Sequence, residues 1–594
     1  MHVIDLGIII LYLIAVVVIG FLVSRRASEN IDSYFLGGNE VPWYLLGVSN
    51  ASSMFDITGT MWLVSILFIY GLKGAWVPWL WPVFNQIFLM VYLSAWVRRS
   101  NVLTGAEWIT TRFGEKGGAE LSRIAVLVFA LVGVVGFLAY AFQGIGKFAS
   151  VFFPWDVAPE VYAIGVMSLT TIYVVAGGMY SVVFTDLIQF VILTIVSFVI
   201  GIIAFNQVSP ELLQAAVPEG WFDLSFGWEL GLDWNALIPA VNDRIADDGW
   251  NLFTIFMMMV LFKGFLVSAA GPVPNYDMQR MLAARTPKEA AMMSGIVSIC
   301  TMPRWFMIAG VTILALVFFS DEMAAMGSDI DFEQILPWVI DNFLPVGVVG
   351  LLLAGLLAAF MSTFDSTVNA GAAYLVNDLY KRYIKPGASQ KTYIKASYLA
   401  SFFVVALGVV FGLMAESVNQ VTLWIVSGLY GGYTAPNVLK WHWWRFNGFG
   451  YFWGMIAGVA GALLVPLVFP SVSALNGFPI ILLFSTVASV GATLLTEPDD
   501  EETLKNFYRS VRPWGFWKPI HEKVVADDPD FVGNKNFRRD VVNVGVGITW
   551  QFSLVLFPIY LLVFNFSAMA IAIAVVVVTT VILKKNWYDK LESV

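Results

Sequence analysis

Apolar runs of about 20 residues recur along almost the whole chain, and very few folds can accommodate that pattern. About 20 apolar residues is the length that crosses the hydrocarbon of a bilayer as an α-helix, whereas membrane β-barrels are written in shorter segments of alternating polarity. The runs lie near 4–23, 43–70, 75–97, 122–152, 157–177, 183–206, 249–270, 289–319, 343–377, 394–415, 419–443, 449–469, 477–496, 543–564 and 566–583. With 13% charged residues, the chain has about half the charge of an average soluble domain. The sequence predicts an all-α polytopic membrane protein of about 15 spans, with the lipid bilayer as its surroundings. The first run lacks a small-residue cleavage site and reads as a retained helix. The single cysteine, Cys300, lies inside an apolar run, which excludes an intrachain disulfide and cysteine-paired zinc.

Loop charges predict the orientation. Arg25, Arg26, Arg98, Arg99, Arg280, Arg285, Lys288, Lys381, Arg382, Arg445, Lys584 and Lys585 fall on one side if the spans alternate, while the loops 207–248 and 320–342 are acidic. The positive side is cytoplasmic, so the N-terminus is expected outside and the C-terminus inside. The segment 497–542 is charged and rich in prolines and aromatics, and reads as a cytoplasmic linker with a surface-lying helix. No glycine-rich phosphate loop or nucleic-acid-binding module is present, and no His/Glu metal constellation or nucleophile–base pair suggests an enzyme.

Polar residues inside apolar runs carry the functional signal, because a charge near the bilayer centre costs several kcal/mol and so tends to face a cavity, a partner or an ion. In NASSMFDITGT, residues Ser49, Ser52, Ser53, Asp56 and Thr60 recur at three- and four-residue steps and share one helical face. In STFDSTVN, Ser362, Asp365, Ser366 and Asn369 form a second such stripe. Asp186, Lys263 and Arg304 are further intramembrane charges. Two readings stand side by side: Asp56 and Asp365 pair with Arg304 and Lys263, or the hydroxyls and carboxylates form the hard-oxygen wall of an alkali-cation site. The other wall of such a site needs free backbone carbonyls, which a broken helix supplies. The serine-rich stretch 52–59 and SAAGPVPNYD (268–277) are the candidate breaks, in the first and sixth spans counted from residue 43.

DSYFLGGNEVPWYLLGVSNASS, GGMYSVVFTDLIQF, QRMLAARTPKEA, FLPVGVVGLLLAGLLAAFMSTFDSTVN and WHWWRFNGFGYFWGM together resemble the sodium/solute symporter family that includes the sodium/glucose cotransporters. The resemblance implies two inverted five-helix repeats, 41–206 and 249–443, parted by the extracellular loop 207–248. An extra helix and loop (1–40) precede them, and two helices (444–496), the linker (497–542) and two last helices (543–594) follow. It implies a main sodium site at Ser362 and Thr363 with the carbonyl of Ala359 and first-helix carbonyls at Ser52 and Phe55, or one residue earlier at Ala51 and Met54. A second cation site would fall on Asp186, Ser362, Asp365 and Ser366. With two carboxylates there, transport would couple to more than one sodium ion, or to sodium and a proton.

By the same resemblance the solute-contacting positions match Asp56, Thr58, Gly59, Ala270, Arg304 and Trp424, and several of these differ from the residues sugar carriers use. Arg304 either holds a substrate carboxylate or is neutralised by Asp56. The expected function is sodium-coupled import of a small polar organic solute by alternating access, a sugar or sugar derivative leading and an organic acid or amino acid following. A solute-sensing membrane receptor is the alternative of another class. The expected setting is a plasma membrane, a bacterial inner one, with a monomer as the working unit.

Overall fold

A computed structural model describes residues 2–27, 30–80, 85–115, 117–153, 155–225, 227–249, 253–415, 430–468 and 474–591. Among them ten helices are long and apolar enough to cross a membrane, and Val3–Ile19 and Phe256–Ala269 are shorter apolar helices. Their burial sorts them into layers. In an apolar 18-residue stretch of each, 89% of the residues in Ile57–Trp79 and 83% in Val348–Ile384 are buried in the protein, against 28% in Asn476–Leu495 and 17% in Phe566–Lys590. The first two form the middle of the bundle, and the last two are an outer wall whose exposed Leu483, Val487, Val577 and Val578 suit lipid.

Both expected breaks are present. The run 43–70 is two helices, Trp43–Met54 and Ile57–Tyr70, parted at Phe55 and Asp56. Asp56 leaves the helical region (φ −81, ψ 152), and its carboxylate caps the restart by accepting the Gly59 N–H at 2.7 Å. The second break follows Phe253–Ala269. There Gly271 takes φ +92, Pro272 and Pro274 have no N–H to give, and Asn275 caps the restart Tyr276–Ala283 by accepting the Asp277 N–H at 3.0 Å.

Elsewhere the runs divide differently. The two runs 157–177 and 183–206 belong to Pro159–Gln207, bent at Gly178 with φ 51 and ψ −147. The run 289–319 is two helices, Pro287–Cys300 and Met302–Phe318. The linker holds two short helices rather than one, Glu501–Val511 and Lys518–Asp527. Both are amphipathic, and they dock by burying Leu504, Phe507, Val511, Trp517 and Ile520. Trp517 Nε1 donates to the Trp441 carbonyl at 2.8 Å. Arg112, fully buried, donates to the carbonyls of Lys440, Trp443 and Phe446 and lies 3.6 Å from Asp499. Of the run 419–443 only Tyr430–His442 is described as helix.

Candidate functional site

One guanidinium ties four helices together beneath the first break. Arg280, 1% exposed, donates from Nε to Ser49 Oγ at 2.9 Å and from Nη2 to Ser53 Oγ at 2.8 Å, Ser366 Oγ at 2.6 Å and Asp186 Oδ2 at 3.0 Å. Ser49 donates to the same carboxylate oxygen. Arg280 therefore does not belong with the loop cations, where charge counting places it. The chain restarts at Tyr276 while still inside the bundle, so a residue four positions on remains buried. The guanidinium also occupies the ground between Asp186 and Ser366 where a second cation was expected. Asp186 already has its counter-charge, and Asp365, fully buried one position before Ser366, lies with Asp186 within electrostatic reach of the Tyr12 phenol. Lys263 takes neither carboxylate in the expected way; its Nζ lies over the rings of Tyr430 (5.7 Å) and Phe478 (5.9 Å).

The residues expected at the main ion site meet where Trp43–Met54, in the first core span, touches Val348–Ala373, in the eighth counted from residue 43. Thr363 Oγ1 donates to the Ser53 carbonyl at 2.7 Å and to the Ala359 carbonyl at 3.2 Å. Ser362 Oγ lies 3.0 Å from Ser53 Oγ. The Ser52 carbonyl accepts the Phe55 N–H at 3.0 Å, closing the last turn, and Ser52 Oγ is buried without a hydrogen-bond partner among the described residues. Phe55 itself is buried with its ring facing Arg304. The Ser53 carbonyl, which belongs to neither register inferred from the sequence, is the one that accepts from Thr363 on the eighth helix.

Arg304 grips the other side of the same break. Its Nη1 donates to the Met54 carbonyl at 2.7 Å, Nε to Thr60 Oγ1 at 3.0 Å and Nη2 to Asp56 Oδ1 at 3.1 Å. Asp56 Oδ2 also accepts from the Tyr140 hydroxyl at 2.9 Å. Of the two roles open to Arg304, the geometry shows internal neutralisation by Asp56. Beside this pair lies a cavity of about 210 Å³. The first break contributes Asp56, Gly59 and Trp62 to it, and the second contributes Asn275, Tyr276 and Asp277. Gln86, Tyr140, Tyr430, Glu333 and Gln551 add to its polar lining, as do Thr301 and the ion-site candidates Ser53 and Thr363.

The cavity differs from the sequence expectation in several residues. Gly59 lines it closely, since a Cβ there would sit 2.6 Å from Asp56 Oδ1. Thr58 is buried against Gly144 instead, and Ala270 is buried with its carbonyl accepting Trp441 Nε1 at 3.1 Å. The sixth helix brings a tyrosine to the cavity at 276 rather than a side chain at 270. Trp424 lies outside the described residues. Gln551 belongs to Phe537–Leu562, after the segment 497–542, and its only sequence signal was an amide within an apolar run. Glu333 comes from the acidic loop and sits 3.6 Å from Lys147.

Two broken helices, oxygens gathered at one break and a solute-sized cavity beside it define an ion-coupled solute carrier. The family model for the sodium:solute symporter family matches residues 34–458, and the chain belongs to that family. Sodium is its coupling ion, and it is a multi-pass membrane symporter. It is 26% identical over 501 residues to sodium/glucose cotransporter 4 of Danio rerio, covering 77% of this chain and 70% of the relative. It is 23% identical over 521 residues to the sodium/glucose cotransporter of Vibrio parahaemolyticus, covering 84% and 92%. The fold is that of a Na+-coupled sialic acid symporter solved in a substrate-bound outward-open state, with TM-score 0.66 and 16% identity over 84% of this chain and 99% of that one.

Proposed function

We propose that the chain imports a neutral sugar or sugar derivative with one sodium ion per solute. The observation that carries this reading is the charge of the cavity. Among its described lining residues Arg304 is the sole cation and is engaged by Asp56; Glu333 is paired with Lys147, and Asp277 adds a further carboxylate. An anionic solute would meet net negative charge there. A polyhydroxylated one can donate to the carboxylates, exchange hydrogen bonds with Gln86, Asn275 and Gln551, and lay its apolar face on Trp62, Tyr140 or Tyr276, as ligand pockets with a few placed polar groups do. Named sugar carriers among the relatives support the same class.

Coupling follows from adjacency. Sodium drawing on the Ser53 carbonyl, Thr363, Ser362 and Ala359 would pull the first break against the eighth helix. One residue on, the Met54 carbonyl anchors Arg304 and with it the cavity wall. An ion can favour one conformation only by as much as it binds that conformation better. Opening toward the opposite face has to part Ser49, Ser53, Asp186 and Ser366 around Arg280. The orientation we propose, N-terminus outside, is supported by basic residues that cluster on one face: Arg98 with the Ala284 carbonyl, Arg99 with that of Val511 and Lys288 beside Tyr588; the Vibrio parahaemolyticus relative supports a bacterial plasma membrane.

The test is uptake into proteoliposomes under an inward sodium gradient, screened over neutral sugars, amino acids and carboxylic acids. Accumulation of a neutral sugar, abolished when sodium is replaced by potassium, is the expected result. Accumulation confined to carboxylates would overturn the reading, and binding without accumulation would indicate a sensor.

A further inference from the structure

Away from the transport path, a second cavity of about 320 Å³ lies where the linker meets the core. Six cationic side chains line it: Arg99, Lys288, Arg512, Lys535, Arg539 and Lys590. One carboxylate, Asp540, faces them, and it is occupied by Trp514 Nε1 at 3.0 Å and by Arg539 at 3.4 Å. Among the described residues no carboxylate lies within ion-pair distance of Lys288, Arg512, Lys535 or Lys590. The preference for cations on one side of a membrane accounts for basic loops, but not for cations from four separate parts of the chain, three of them on α-helices, converging on one concave space.

The backbone at Arg512 adds to the case. It takes φ 53 and ψ 54 at the end of Glu501–Val511, a left-handed position where glycine or asparagine is the inexpensive choice. Its N–H donates to the Tyr508 carbonyl at 3.1 Å, and Asn534 Nδ2 donates to its own carbonyl at 2.9 Å, so the guanidinium is presented from a fixed backbone. Six like charges sharing a cavity repel one another, and an anion of multiple charge relieves that repulsion while accepting charge-assisted hydrogen bonds from guanidinium forks. The volume falls at the small end of the range for small-molecule pockets, which suits a compact ligand rather than a macromolecule.

We propose that this cavity binds a phosphorylated anion carrying two or more negative charges, either a soluble phosphate compound or a phosphomonoester lipid headgroup, and that the bound anion fastens the linker to the core helices. The test uses the purified full chain, with inorganic pyrophosphate as the soluble probe in detergent and nanodiscs of phosphatidylcholine with or without phosphatidic acid as the lipid probe. The variant is Arg512→Gln with Lys535→Gln, both exposed side chains outside the transport site, which should leave sodium-driven uptake unchanged. If the source is soluble, pyrophosphate binds saturably in calorimetry, and the double variant weakens it at least about tenfold. If the source is lipid, pyrophosphate fails but phosphatidic acid raises the unfolding temperature of the parent and not of the variant. Stabilisation by pyrophosphate no greater than that by sodium chloride of equal ionic strength, together with no variant-dependent effect of phosphatidic acid, would overturn the proposal.

Discussion

Arg280 and Arg304 are both guanidiniums paired with carboxylates, and their surroundings set different costs for losing a partner. The side chains of the Arg280–Asp186 pair are 1% and 0% exposed, while those of the Arg304–Asp56 pair, on the cavity wall, are 12% and 20% exposed. Breaking a fully buried pair leaves a charge with nowhere to find water, so Arg280→Gln should cost about 3–5 kcal/mol and Arg304→Gln less. Thermal unfolding in detergent orders the two. In each case the charge-free double variant, with Asp186→Asn or Asp56→Asn added, should recover much of the loss, giving a coupling energy of about 1 kcal/mol or more. Thr363→Val keeps the side chain's shape and removes the oxygen that links Ser53 to Ala359. The half-saturating sodium concentration for uptake should then rise by about tenfold or more, a loss of roughly 1.4 kcal/mol in ion binding. An unchanged sodium curve would remove Thr363 from the ion site.

Among the elements, those with local causes were legible in the chain. An aspartate ahead of Ile-Thr-Gly, and a Gly-Pro-Val-Pro-Asn run, announce helix breaks because they cap, turn or withhold N–H groups wherever they occur. The hydroxyl stripe of the eighth helix was legible for the same reason, since its spacing alone puts it on one face. What tertiary packing decides was not legible. Arg280 looked like a loop cation because the depth at which its helix restarts is invisible in sequence, and Gln551 joins the cavity through a helix far along the chain. The bend at Gly178 is another such case. A Cβ there would lie 2.6 Å from the Tyr34 carbonyl oxygen at a backbone angle that disfavours L side chains, so Gly178→Ala should destabilise by about 1–3 kcal/mol. Replacing Gly165, whose Cβ would meet nothing within 4 Å, should cost far less, and paired melting curves make the comparison. The linker has its own signature. Burial pushes the Asp499 carboxyl up from 3.8 to about 6, against the pull of Arg112. The folded protein holds that proton more tightly than the unfolded chain, so this contribution to stability is present below pH 3.8 and is lost as the pH rises through about 6. The unfolding temperature should fall by about 1–3 °C over that window, and Asp499→Asn should flatten the slope.

For the whole molecule, the proposed one-ion coupling rests on the Arg280 guanidinium, which lies against Asp186 and Ser366 where a second ion would otherwise bind. Reversal potentials in proteoliposomes should therefore report one sodium per solute, unchanged between about pH 5.5 and 8, a range over which an arginine keeps its charge. A ratio of two would mean that Arg280 vacates its place during the cycle. Arg280→Gln offers the complementary measurement, because Asp186 would then lack its partner and sodium dependence should become steeper if the vacated place accepts an ion.

If Arg280 stands in for a second ion, its charge belongs to the protein and is never delivered, which limits how far the solute can be concentrated. With one translocated sodium, a 100 mV membrane potential and a tenfold sodium gradient together supply about 3.7 kcal/mol, enough to hold a neutral solute roughly 500-fold above its outside level. A carrier moving two ions under the same conditions would reach above about 10⁵-fold, but it would spend twice the ions on every molecule. The guanidinium of Arg280 thus suits a scavenger of moderately scarce food, one that trades the deepest depletion of its surroundings for a cheaper meal.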